Sequence, residues 1–130
     1  SNVSFFGILF SPAMLPSTDD HEITPAAYAI LRHDPDSPEV RLIDCREEDE
    51  FHLCRIEGAE LIPLSRFGEE ANRKILQSDD PRPVVVYCHH GMRSMHATLF
   101  LRQHGKKETW SLAGGIDLWS QQIDPQVPRY

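Results

Sequence analysis

The 130-residue sequence predicts an α/β fold: one domain on a mainly parallel central sheet, with helices on both faces. Three observations predict it. Segments of helical and strand-like character alternate along the chain, the order that builds parallel strands joined by crossover helices. The run Val84-Val85-Val86-Tyr87-Cys88 is apolar throughout instead of alternating, as in a strand covered on both faces. The length suits a single core that needs neither metal nor disulfide, and no repeat or low-complexity tract argues otherwise.

Each element has its own signal. Residues 1–21 read as an apolar N-terminal extension and connector, and residues 22–130 as the domain proper. The stretch "VSFFGILFSPAML" is apolar but short and lacks a basic leading segment, so it makes a poor signal peptide. Its side chains Phe5, Phe6, Ile8, Leu9 and Phe10 are expected to pack on the domain or on a partner chain, which leaves monomer and homodimer both open. Thr24-Pro25 starts a helix, with Thr24 as its cap and Pro25 where a missing N–H costs nothing. Apolar residues at helical spacing carry it through Tyr28 and Leu31, and "DPDSP" turns the chain. Val40 to Asp44 reads as a strand. "REEDEFHLC" is acidic early, as a helix's first turn prefers. Gly58 breaks the chain before a short strand at Glu60 to Ile62, and "SRFGEEANRKILQ" reads as one or two short helices. After the Val84–Tyr87 strand, a helix is expected from near Ser94, with Met95, Leu99 and Phe100 packing inward and Gly105 closing it. "KETWSLA" supplies a strand, "GGIDLWSQQI" a helix, and "DPQVPRY" a tail. Trp110 and Trp119 read as core.

Composition excludes several classes. A formal net charge of −7 argues against nucleic-acid binding and against a polybasic membrane patch. No stretch reaches the ~18 apolar residues needed to span a bilayer. The cysteines Cys45, Cys54 and Cys88 are odd in number and form no C-x-x-C pair, so a reducing, cytoplasmic setting is expected. No Cys/His spacing suggests a metal, and the adjacent pair His89-His90 makes a poor bidentate ligand on a tight loop. No cofactor is implied. Cys45 reads as core filler and Cys54 as a spectator, with a resolving role for Cys54 a minor alternative.

The chemistry concentrates in "CHHGMRS", Cys88 to Ser94. A strand that ends at Tyr87 delivers Cys88 to the carboxyl edge of the sheet, where ligands bind in open α/β folds. Gly91 allows the loop His89 to Arg93 to curl around the sulfur with successive amides pointing inward, an anion-binding nest. The following helix adds positive potential. Both effects favour the thiolate, which is the nucleophile. A buried, inert cysteine is the competing reading, and this loop alone does not exclude it.

Three separated motifs add to this reading: "LIDCREEDEFHLCRIEGAELIPL" (42–64), "CHHGMRS" (88–94) and "LAGGIDLWSQQIDPQVPRY" (112–130). In this order and spacing the sequence resembles the rhodanese-like sulfurtransferases of the small single-domain type, from about Glu22 to the C-terminus. The resemblance implies that Cys88 carries a persulfide, taking sulfane sulfur from a small-molecule or protein donor. The sulfur then passes to a thiol, cyanide or sulfur-carrier-protein acceptor. It implies that His89, His90, Gly91, Met92, Arg93 and Ser94 form the cradle, and that Asp44 and Arg46 sit beside it. Arg93 is expected to point away from the sulfur and to pair with an acidic residue of 47–50, best Glu50. The family's G-H-I-P-G-A stretch is here Cys54-Arg55-Ile56-Glu57-Gly58-Ala59, a departure expected to alter loop rigidity or docking and not chemistry. Histidines 89 and 90 replace the basic residues that hold thiosulfate in relatives, so thiosulfate is expected to be a poor donor. Two rivals stand beside this reading. One is a non-catalytic recognition module of the same fold. The other is a cysteine-dependent phosphatase or arsenate reductase, disfavoured because only four residues separate Cys88 from Arg93, one fewer than those enzymes use.

Overall fold

The computed structural model describes residues 14–130, so the packing expected of Phe5 to Phe10 lies outside the described residues. In chain order the elements are β1 (Glu22–Ile23), α1 (Pro25–His33), β2 (Arg41–Asp44), α2 (Glu48–Leu53) and β3 (Glu60–Leu61). A 3-10 turn (Leu64–Arg66) follows, then α3 (Phe67–Ala71), which runs into a π-helical turn (Asn72–Leu76). The chain finishes with β4 (Val84–Tyr87), α4 (Met92–Gln103), β5 (Thr109–Leu112) and α5 (Gly115–Gln122). The strands form one sheet in the order β1-β5-β4-β2-β3. Every pairing is parallel, so the sheet is wholly and not just mainly parallel.

Local chemistry accounts for the starts and stops. Thr24 Oγ1 accepts a hydrogen bond from the Ala27 amide at 3.1 Å, and Pro25 occupies the first turn of α1. A capping box opens α2: the Glu47 amide donates to Glu50 Oε1 at 3.2 Å while the Glu47 side chain caps the turn in return. That box also fixes where the Glu50 carboxylate points.

Side chains alternate between two cores. Leu42, Val85, Tyr87, Trp110 and Leu112 face α1 and α5, with Tyr28, Leu31 and Trp119. Ile43, Cys45, Val84, Val86 and Cys88 face α3 and α4, with Phe67, Ala97 and Leu101. A strand covered on both faces must be apolar at every position, which explains the unbroken run in β4.

Several expectations need correction. The strand expected at Val40 begins at Arg41, and the one expected to reach Ile62 stops at Leu61. The segment expected as one or two helices passes through three helical forms in succession. The helix expected near Ser94 begins at Met92, because Gly91 in the left-handed region supplies the cap. Leu99 is 41% exposed and does not pack. Helix α4 rests on the sheet through Ser94, Ala97, Thr98 and Leu101, a spacing of three and four that leaves Leu99 outward. Among the described residues, no helix is long and apolar enough to cross a membrane.

Candidate active site

Cys88 leaves β4, the middle strand, at the carboxyl edge of the sheet. Two amides converge on its sulfur: Gly91 N at 3.1 Å and Ser94 N at 3.3 Å. Gly91 has φ +114°, a conformation that side-chain-bearing residues rarely adopt, and this turns its amide inward. The Ser94 hydroxyl lies 3.4 Å from Sγ and 2.7 Å from the Ser111 hydroxyl of β5. With Cys88 ionised, Ser94 Oγ–H donates to the sulfur and accepts from Ser111. The 12-residue helix α4 starts at this point and directs its positive end at the same atom.

A further donor comes from the sheet itself. Register pairs Asp44 with Tyr87, so the next residues, Cys45 and Cys88, lie side by side. The Cys45 thiol stands next to the Cys88 sulfur and stabilises negative charge on it. This contact, together with Ser94 and the Gly91 amide, lowers the Cys88 pKa to about 4 against the burial that opposes it. The same contact, with burial, pushes the Cys45 thiol far up. Cys45 is part of the core, as expected, and it also neighbours the reactive sulfur.

Cys88 is only 1% exposed, so the sulfur lies beneath the loop and not open at the mouth of the sheet. The first turn of α5 holds the loop down: Ile116 N donates to Cys88 O at 2.9 Å and Asp117 N to His89 O at 3.1 Å. The tail then covers the loop's outer side, with the Tyr130 ring stacked on His89 at 3.9 Å between centroids and 5° between planes.

Arg93 points away from the sulfur and forms a two-pronged pair with Glu50, at 2.6 and 2.9 Å. The arginine, burial notwithstanding and with Tyr130 Oη–H helping, draws the Glu50 pKa down to about 2. Met92 is 75% exposed, so only its backbone belongs to the loop. Asp44 and Arg46 are both fully buried and pair at 2.7 Å. Arg46 also donates to Cys54 O at 2.6 Å and to Tyr130 Oη at 2.8 Å, and Tyr130 Oη–H donates on to Glu50 at 2.8 Å. The D-x-R pair thus anchors the tail and, through Glu50, the loop.

The His89 and His90 rings lie against one another, tilted by 30°, at 3.9 Å between centroids. Burial and the neighbouring His90 lower the His89 pKa, so this ring holds a proton less readily. His89, His90 and Asp117 bring three potential ligand atoms within 4.8 Å of one another, a grouping the sequence spacing hid because Asp117 comes from α5. Asp117 already accepts from Arg129 at 2.9 Å.

Sequence reasoning missed Cys45, Ser111, Tyr130 and Asp117. Only Cys45 had a readable signal: "LIDC" and "VVYC" each end a parallel strand with cysteine at the same step.

The arrangement makes a stabilised thiolate, and its pH dependence follows. Because the thiolate form persists as pH falls to about 4, the iodoacetamide reaction of Cys88 is expected to stay level from pH 8 to pH 5. An ordinary thiol, pKa ~8.5, would slow about tenfold per unit over that range. Rates followed by peptide mass spectrometry check this.

The family model of the rhodanese-like domain matches residues 27–122. The chain is 35% identical over 89 residues to a probable adenylyltransferase/sulfurtransferase, MoeZ, of Mycobacterium tuberculosis, covering 68% of this chain and 22% of that protein. It is 39% identical over 83 residues to the uncharacterized protein YqhL of Bacillus subtilis, covering 64% of this chain and 63% of that one. It is similar to a solved rhodanese-related protein from Thermoplasma volcanium, with TM-score 0.63, 26% identity, and coverage of 85% and 99%. The chain spans between 22% and 31% of the length of the first curated relatives it matches.

Proposed function

The chain belongs to the rhodanese-like domain family, and from that premise we propose that it is a sulfurtransferase whose Cys88 carries the transferred sulfur. One observation carries the reading: amides of Gly91 and Ser94 hold a sulfur whose neighbours stabilise negative charge. Cys88 thiolate attacks the sulfane sulfur of a donor, the donor's own group leaves with the bonding pair, and a persulfide forms. An acceptor nucleophile then attacks the outer sulfur and regenerates the thiolate. The negative charge returns to the same atom at each end of the cycle, where the amides stabilise it without rearrangement.

In the small ring between Cys88 and Arg93, the Arg93 guanidinium is occupied by Glu50 and not by the nucleophile. That disfavours phosphate as substrate. The weakened charge of His89 favours a polysulfide or protein persulfide over thiosulfate as donor. The sulfur is reached when the loop and the Tyr130 tail part, since Cys88 is covered at rest.

Intact mass after incubation with inorganic polysulfide tests the reading. The expected product is about 32 Da heavier, with the added sulfur mapped to Cys88 and absent from Cys88→Ser. A chain that takes up no sulfur under conditions where Cys88 alkylates would instead be a recognition module of the same fold.

A further inference from the structure

The second cysteine of the site stabilises the Cys88 thiolate but forms and breaks no bond in the cycle above. Cys45 follows β2 as Cys88 follows β4, and the parallel register carries the two past Asp44 and Tyr87 as neighbours on the same face. The Cys45 amide bonds Tyr87 O at 3.0 Å, which holds the two backbones together at this step. Adjacent strands lie ~4.8 Å apart, inside the ~4.4–6.8 Å range of Cα separations that a disulfide spans. Cys54 has no such placement: it belongs to the opposite face and donates to Pro128 O at 3.4 Å.

The two sides of the Cys88 sulfur therefore differ. The loop amides of Gly91 and Ser94 approach from the mouth, where a transferred sulfur would sit. Cys45 approaches from the sheet, against the sulfur that stays with the protein. A thiol in that position addresses the inner atom of a persulfide, not the outer one.

The geometry points to Cys45 as an internal resolving thiol that converts the Cys88 persulfide into a Cys45–Cys88 disulfide and expels the carried sulfur as hydrosulfide. This rests on the persulfide reading above. Cys45 Sγ attacks Cys88 Sγ, the bond between Cys88 Sγ and the outer sulfur breaks, and the leaving sulfur departs with the bonding pair. It carries the Cys45 proton away as HS⁻. The cysteine pair loses two electrons and the sulfane sulfur gains them, so no outside oxidant is needed. The Cys88 thiolate and burial hold Cys45 protonated, and moving the charge to the outer sulfur weakens the first of these. A persulfide that finds no acceptor would then decay to sulfide and a locked disulfide, and an external dithiol would reopen the enzyme.

The test uses the full chain loaded with inorganic polysulfide, freed of excess by gel filtration without thiol, and followed over time. Wild type is expected to lose the added sulfur, release one equivalent of sulfide per loaded chain, and become about 2 Da lighter than the reduced protein, reversibly with dithiothreitol. Peptide mapping should place the bond between Cys45 and Cys88. Cys45→Ala and Cys45→Ser are expected to keep the sulfur on Cys88 and to release no sulfide until a thiol is added. Wild type that keeps its added sulfur without releasing sulfide overturns the inference while leaving the transfer reading intact, and this outcome needs no variant to fold. Absence of any sulfur adduct, in wild type and both variants, with no sulfide released, overturns both.

Discussion

Asp44→Ala is expected to destabilise the domain by about 3–5 kcal/mol, the cost of leaving a buried charge without its partner. Asp44 accepts from Arg46 at three donors: the amide at 2.9 Å, Nε at 3.0 Å and Nη2 at 2.7 Å. Both side chains are fully buried, so water cannot replace the lost carboxylate. The remaining contacts of the guanidinium are neutral: Cys54 O, Tyr130 Oη, and the rings of Tyr87 and Tyr130. An exposed pair would be worth only ~0–1 kcal/mol, so burial decides the magnitude. Urea unfolding measures it. Asp44→Ala/Arg46→Met, which removes both charges, should recover much of the loss. A single variant within about 1 kcal/mol of wild type would show that the guanidinium finds other relief.

The same pair shows what was legible in the sequence and what was not. Asp44 and Arg46 are two residues apart, so their pairing is local and their motif visible. Tyr130, which Arg46 also holds, lies 84 residues away, and no local signal announces it. The Thr24-Pro25 start, the Gly91 turn and the apolar β4 were readable because capping, left-handed backbone and two-sided burial each leave a mark in a few adjacent residues. The Arg93–Glu50 pair was readable because a loop arginine needs a partner and α2 offered a run of acids. The burial of Cys88 was not readable, since it depends on how α5 and the tail settle over the loop. Strand β1 escaped notice because two residues are too few to show a period. The helix start was misplaced because Ser94, a common capping residue, is spent on Cys88 and Ser111.

Gly115→Ala is expected to damage both the stability of the domain and the chemistry of Cys88. Gly115 has φ +60°, where an L side chain costs roughly 1–2 kcal/mol. A Cβ there would collide with the carbonyl oxygens of Cys88 and His89 and lie 2.6 Å from the His89 carbonyl carbon. These are backbone atoms, which have no rotamer by which to move aside. Relief requires the loop to lift from α5, which breaks Ile116 N to Cys88 O and Asp117 N to His89 O. Stability should fall by about 3 kcal/mol or more, in the range of steric strain at a special backbone position. The loop's displacement also predicts a chemical signature. Parting the Gly91 and Ser94 amides from Sγ removes stabilisation of the thiolate, so the Cys88 pKa rises and its alkylation slows at pH 6. At pH 9, where any thiol is largely ionised, the uncovered sulfur should react faster than in wild type. That crossover separates a lifted loop from general unfolding, which would raise reactivity of Cys45 and Cys54 equally. Gly68→Ala is the control, because no atom lies within 4 Å of a Cβ at that helical position, and alanine there should be neutral or stabilising by up to ~1 kcal/mol. If Gly115→Ala kept the wild-type pH profile, the loop would not depend on α5 for its shape, and the sulfur's acidity would have to come from Cys45 and the α4 terminus alone.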